Sequence, residues 1–583
     1  MYDFTCRGGG ARLRPAVFAL LLFCLVISPL RGWASAAEDA AEAAAVKEAV
    51  ELFLRSFTEE ALLYEDRDQR LCTVSDPDVT IPPDAWERTY SLSGGDATLA
   101  QMRENIAFAG KKADYLAAMR QMQNIYRENL RLAYTYQKLD ILDDTCRVTV
   151  TEAAGFRYTD TVLPSVNESI YSVDLIKLDG RWLVAGFTDG SSFDENYMGQ
   201  GGGFDVDAAL ESLAESMRTE SCKIASPYSG AAGWGQIPYN GEDAAAYAYT
   251  YSRQQPEDQR SDYYNPLFAS YAGQGGDCMN FTSQCIWAGF GGSETAAAIS
   301  GHDRPMDASG SGLWYGRTPD SKGVANSWIA CQSFRTYLTG TKDASGSGGS
   351  NAGQEAGLYA TVLSVSAGSP VAGAAPEELT GAAVHLDGAK GSYSHSVVIT
   401  AAAGTQRSQI WFCGHTRNVT NVKLGDCYAA SPLKIYIPRY MRTGTSQDDV
   451  IRPRRAQPVA MGETGWLGAQ AGRAQYRMWL SVTAPDGGTV QAAVSENADF
   501  CQAEYAFTQP GLYKVECYAL AKQDSPPAMA AYYVRCYEPE EIPVMEPAEE
   551  EAPAEEEAEA PETEAPETEE EEPPVIDEFP DGI

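Results

Sequence analysis

The chain is expected to be an α+β protein of several modules, on three observations. Helical periodicity near the N-terminus gives way to a run of strands. A glycine turn then launches a short helix with a cysteine in its first turn, and an alternating strand with a histidine follows more than a hundred residues later. The last part before an acidic tail reads as short strands only. At 583 residues the chain is too long for one core, and changes in composition divide it.

Residues 1–37 have the pattern of a secretory signal: Arg7, Arg12 and Arg14, an apolar run over 16–27, and the cleavage pattern Ala34-Ser35-Ala36. The run is short for a membrane span, so cleavage after Ala36 is expected and an uncleaved anchor is the alternative. Residues 38–200 should form an α+β module. Val46, Val50, Phe53, Leu54 and Phe57 mark an amphipathic first helix, and helical periodicity is read through 99–142. Strands are expected at 146–151, 170–178 and 181–187, the last two joined by Asp179-Gly180, a type I′ hairpin signal. Helices followed by a strand meander have some likeness to cone-shaped NTF2-like domains, which implies a binding module or a spacer. Residues 201–235 read as a linker, with a flexible break at Gly201–Gly203 and a connecting helix over 205–217.

The chemistry-bearing stretch is Gly275-Gly276-Asp277-Cys278-Met279-Asn280-Phe281-Thr282-Ser283-Gln284. Two glycines permit a sharp turn, Asp277 suits an N-cap, and Asn280 stands at an imperfect capping-box position. Phe281, Cys285, Ile286 and Ala288 recur at helical spacing, and Gly289, Gly291 and Gly292 end the helix. A thiol at such a helix start feels the positive end of the dipole, which favours thiolate. A nearby imidazole would complete a nucleophile, and Ser394-His395-Ser396-Val397-Val398-Ile399 offers one on an alternating strand. The plainer reading is that Cys278 is a small buried apolar residue, the usual fate of a free cysteine.

Asp-Cys-x-Asn-Phe-x-Ser-Gln resembles the signature of the bacterial putative amidase domain family, a distant relative of NlpC/P60 and papain-like cysteine hydrolases. The likeness extends to Tyr239-Asn240-Gly241, Ala244–Ala248, Asn265-Pro266, Trp314-Tyr315, Ser327-Trp328, Phe334, Tyr337-Leu338 and His415-Thr416, roughly residues 236–440. Met279 and Gly381-Ala382 depart from the family pattern. The resemblance implies a papain/NlpC-P60-like catalytic domain at 236–445, with Cys278 as nucleophile and His395 as general base and then acid. It also implies a polar residue on the following strand to orient the histidine. His415 fits that place, with Asn418 as runner-up. His302 and His385 read as ordinary hydrogen-bonded histidines.

Cys413, His415, Asp426 and Cys427 lack metal-ligand spacing, and no P-loop, dinucleotide fingerprint or G-x-S-x-G elbow occurs. No metal and no cofactor is therefore expected. Residues 346–353 read as a mobile Gly/Ser-rich insertion. Residues 455–537 should form an immunoglobulin-like β-sandwich, with strands near 477–482, 490–494, 503–507, 511–519 and 530–536. Of 13 cysteines, 11 would remain after signal removal, which allows disulfides, with one pair among Cys501, Cys517 and Cys536 plausible.

Residues 538–583 hold 21 acidic and no basic residues and should be an extended disordered polyanion. They supply more than half of the net charge of −37, which argues against nucleic acid as a partner. The expected activity is secreted or cell-surface cysteine hydrolysis of amide bonds, with peptide or peptidoglycan-like substrates. No stable transmembrane segment is expected after signal cleavage. The alternative is a catalytically silent surface-binding protein that keeps a hydrolase shell.

Overall fold

A single twelve-stranded sheet runs through the two modules that the sequence reading separates. The computed structural model describes residues 39–538, apart from 60–71, 77–78, 87, 93–94, 226–234, 275, 309–312, 340–356, 388–392, 444–446 and 449. The signal pattern at 1–37, the stretch at 346–353, Gly275 and the tail from 539 onward lie outside the described residues.

In the N-terminal part, a helix over 39–59 buries Val46, Val50, Phe53, Leu54 and Phe57 against strands, as its periodicity requires. A second helix, Leu99–Met122, opens with a reciprocal capping box: Thr98 N–H donates to Gln101 Oε1 at 2.8 Å, and Gln101 N–H to Thr98 Oγ1 at 3.4 Å. The helical reading of 99–142 fails beyond this point. Arg127–Leu142 is a strand, paired with Thr145–Tyr158. Its signal is alternation of period two, in which Leu130, Leu132, Tyr134 and Tyr136 all lean on the core. Strands Pro164–Leu178 and Arg181–Thr188 follow. Asp179 and Gly180, at φ +48° and +76°, make the left-handed turn expected between them.

The break at Gly201–Gly203 is a short 3-10 turn, Met198–Gly203, packed on the second helix, where Gly202 N–H donates to Glu104 at 3.1 Å. The connecting helix is Val206–Arg218, capped by Asp205, whose Oδ1 accepts from Ala208 N–H at 3.0 Å.

The sheet crosses from the N-terminal part into the later region where Pro164–Leu178 pairs with Val419–Lys423: Val419 faces Asn167 and Thr420 faces Val166. Beyond lie, in order, the strands Ile410–Gly414, Tyr393–Ala402, Ala383–Asp387, Leu433–Arg442 and Gly357–Val365. Beside this junction Asp426 is wholly buried, taking Arg120 Nε at 2.5 Å, Arg127 Nε at 2.8 Å and the Tyr158 hydroxyl at 2.6 Å. Burial alone would raise its pKa; the two guanidiniums hold the carboxyl well below the ordinary carboxylate range.

Ile451–Arg454, Val459–Ala460, Thr464–Thr483, Thr489–Ala506, Gly511–Leu520 and Ala528–Tyr537 form a separate six-stranded sheet around their own core. The two short strands read at 490–494 and 503–507 are one continuous strand, because 489–506 pairs along nearly the whole of 464–483. All eleven cysteines among the described residues are free. Cys501, Cys517 and Cys536, read as a source of one disulfide, instead fill the core as small apolar side chains. No described helix is long and apolar enough to cross a membrane.

Replacing Asp426 by Ala would strand two buried guanidiniums. Urea unfolding should show a loss of about 3–5 kcal/mol, and a loss below about 1 kcal/mol would make the cluster incidental.

Candidate active site

Every residue of the helix Cys278–Gly289 is buried, including its polar ones, so each polar side chain needs a partner. Asn280 Nδ2 donates to the Ala269 carbonyl at 3.1 Å and to Asp277 Oδ1 at 2.9 Å, while its Oδ1 accepts from Trp328 Nε1 at 2.9 Å. Thr282 and Ser396 hydroxyls meet at 2.9 Å, Ser283 accepts from Trp314 Nε1 at 3.2 Å, and Gln284 accepts from the Tyr247 hydroxyl at 2.7 Å. The motif thus spells out the fittings of a helix driven through the middle of a core. At its far end Arg455, 1 % exposed at its side chain, donates to the carbonyls of Ala288 (2.9 Å) and Gly292 (2.7 Å) and pairs with Glu294 at 3.2 Å. A cation on the last carbonyls complements the helix dipole.

At the near end Asp277 does not cap the helix with its side chain. Its Oδ1 accepts from Tyr271 N–H at 2.7 Å, and its Oδ2 lies 2.9 Å from His415 Nδ1. Its own N–H donates to Thr416 Oγ1 at 2.7 Å. Thr416 is held at φ +82°, a backbone that a β-branched residue adopts only under constraint. Gly276, at φ +120°, lies against this side chain, and a Cβ there would come within 3.2 Å of Thr416 Oγ1.

The family resemblance implies that His415 orients His395; the structure gives His415 other partners. Its Nε2 lies 2.8 Å from the Tyr251 carbonyl, so both ring nitrogens are engaged away from His395. The ring is stacked between Phe281 (3.9 Å) and Tyr264 (4.1 Å). It anchors the turn that carries Cys278. Asn418, the runner-up, donates to Glu168 at 2.7 Å and accepts from Tyr264 at 3.4 Å. His395 Nε2 is buried without a hydrogen-bond partner.

Cys278 and His395 do meet. The Cys278 sulfur is held at its low pKa, about 4, by a hydrogen bond from the Cys331 thiol, then by hydrogen bonding and charge from the His395 ring and by the Ser396 N–H; burial opposes these. The histidine strand carries an irregularity next to His395. Leu386 pairs with His395 but Asp387 pairs with Tyr393, so Ser394 is the extra residue of a bulge. Bulges re-aim side chains beside sites. Further along, alternation puts Ser396 and Val398 toward the cysteine helix and Val397 and Ile399 into the opposite core.

Cys331, at the start of the helix Cys331–Thr339, was not singled out from the sequence; nothing but its residue type could have flagged it. Its own thiol is pushed well up, first by its bond to Cys278 and then by burial. His385 is fully buried beside the Tyr436 ring (4.7 Å); burial, with His395 and Arg335 nearby, pushes its pKa down to about 3, which keeps it neutral. Among the described residues no three His, Cys, Asp or Glu side chains converge into a cluster able to hold a metal ion. Asp426 is taken by arginines, and Cys413 accepts from Asn421 N–H at 3.4 Å.

The site is thus a buried helix with a low-pKa thiol at its start and a histidine strand against it. Residues 238–437 match the family model described as the putative amidase domain, which suggests amide hydrolysis. The match takes in Cys278, Cys331, His395 and His415. No curated protein matches the chain.

Two outcomes are expected. Iodoacetamide labelling of Cys278, followed by mass spectrometry, should be flat from about pH 5 to 8 and half-maximal near pH 4. Cys331→Ala should move that midpoint upward, and a wild-type midpoint at ordinary thiol values would contradict the site. His415→Phe keeps the stacking but strands Asp277 and the Tyr251 carbonyl, and should cost about 2–3 kcal/mol in denaturant unfolding. Unchanged stability would return His415 to a role other than anchoring.

Proposed function

We propose that the protein hydrolyses amide bonds through Cys278 and His395. The observation that carries this is the contact of the two side chains at the start of a buried helix, with the thiol depressed to about pKa 4. Thiolate Cys278 attacks the amide carbonyl carbon, forming a C–S bond while the carbonyl electrons move to oxygen. The Cys278 N–H at the helix start stabilises that oxyanion. Collapse breaks the C–N bond as His395 gives its proton to the departing amine, leaving a thioester. His395 then takes a proton from water, hydroxide equivalent adds to the thioester, and the carboxylic acid leaves as the thiolate re-forms.

The N-terminal pattern at 1–37 supports export and action outside the cytoplasm, with the acidic tail suited to a cell-surface setting. Location, together with the resemblance to NlpC/P60-type hydrolases, supports peptides of the cell wall as substrates.

The test is amine release from cell-wall peptides and simple peptide amides by the purified mature chain. Cys278→Ala and His395→Ala should each lower kcat/KM by about 10³-fold or more. Full turnover by the Cys278 variant, or none by wild type on any amide, would refute the proposal.

A further inference from the structure

The proposed hydrolysis leaves one neighbouring thiol without a task. Cys331 is the first residue of the helix Cys331–Thr339, as Cys278 is of the helix Cys278–Gly289, so two helix starts bring their thiols together. Both lie in one core cluster, Cys278 with 8 % and Cys331 with 6 % of its surface open to solvent. More than the two sulfurs fixes this meeting. Trp328, three residues before Cys331, donates through its Nε1 to Asn280, two residues after Cys278, at 2.9 Å. Trp328 packs on Trp314 at 4.7 Å, and Trp314 Nε1 donates to Ser283 at 3.2 Å. The short helix Asn326–Ile329 that delivers Cys331 is therefore fastened along the cysteine helix, directly at Asn280 and through Trp314 at Ser283.

The Cys331 thiol donates to the Cys278 sulfur, so one sulfur of the resting pair is an anion and its neighbour holds the proton. A thiolate is the form that peroxides oxidise, and a thiol in contact with it is the nearest group able to trap the product. Disulfide closure needs the sulfurs at about 2.05 Å, and a pair already in hydrogen-bond contact has little distance to close. The other cysteine of the same helix, Cys285, is seven residues on, about 10 Å along the axis, and cannot compete.

We propose that Cys331 is the resolving cysteine of Cys278, closing a reversible disulfide on it after a peroxide has oxidised it. In the first step the Cys278 thiolate attacks one oxygen of hydrogen peroxide. An S–O bond forms, the O–O bond breaks and hydroxide leaves; the sulfur is oxidised to the sulfenic acid and the peroxide is reduced. In the second step the Cys331 sulfur attacks the Cys278 sulfur. The S–S bond forms as the S–O bond breaks, and the Cys331 proton leaves with the hydroxide as water. The contact thereby diverts Cys278 before a second peroxide takes it to the sulfinic acid, which thiols do not reverse. The bridge occupies the sulfur that hydrolysis would use, so its effect on turnover rests on the proposed function; its formation does not.

The test exposes the reduced, purified chain to a few equivalents of hydrogen peroxide, then quenches it in acid, unfolds it, alkylates it with N-ethylmaleimide and digests it for mass spectrometry. The expected product joins the Cys278 and Cys331 peptides with the loss of two hydrogens, and dithiothreitol should return both thiols. Cys331→Ser should abolish the cross-link and leave at least about tenfold more Cys278 in forms that dithiothreitol does not recover. The wild-type product decides by itself, whatever the stability of the variant. Sulfinic or sulfonic Cys278 beside an alkylated Cys331 in the wild-type chain would overturn the proposal. So would Cys278 that excess peroxide leaves untouched, or that pairs with a different cysteine. A chain without amidase activity that still forms the bridge supports this inference while refuting the hydrolysis.

Discussion

Burying a helix on all sides is the constraint that organises this molecule. A helix packed through a core must have its polar side chains answered by protein rather than by water, because each unanswered group costs as much as a typical stabilising mutation gains. Trp328, Trp314, Tyr247, Ser396 and Asp277 supply those answers to the helix that begins at Cys278. The Cys278 sulfur inherits its position from that frame. It sits where the buried rod begins, and 8 % of the residue's surface is all that reaches solvent.

The same constraint accounts for the regions outside the amidase match. Arg455 lies beyond residue 437, yet it closes the far end of the cysteine helix, and Arg535 in the last sheet donates to the Thr250 carbonyl at 2.9 Å. Glu294 N–H donates to the Ala531 carbonyl at 2.8 Å, so the C-terminal sheet grips the loop that follows the helix. On the opposite side, Arg120, Arg127 and Tyr158 of the N-terminal part converge on Asp426. The flanking regions brace the amidase-matching region at both ends, a role that composition alone does not announce.

What could be read from residues, and what could not, follows from how far each interaction reaches along the chain. The cysteine helix was legible, with its end at Gly289, because turn glycines and apolar spacing are local. So was the hairpin at Asp179-Gly180, where φ chemistry decides. The strand Arg127–Leu142 was misread because Leu, Lys, Arg and Glu are good helix formers, and only pairing with Thr145–Tyr158 overrides that preference. Asp277 looked like a cap because the type of residue fits; its engagement by His415, 138 positions away, is tertiary and invisible locally. Cys331 beside Cys278 belongs to the same class, since it lies in no spacing pattern.

The pairing of Val166 and Asn167 with Thr420 and Val419 ties strands about 250 positions apart into one sheet. The earlier strands are finished long before their later neighbour exists, and until then the first half of Pro164–Leu178 carries an open edge, its second half being covered by Arg181–Thr188. Late closure of so long a loop makes assembly slow by topology rather than by any weakness in the final state. A chain built this way keeps that edge exposed until its last strand pairing forms.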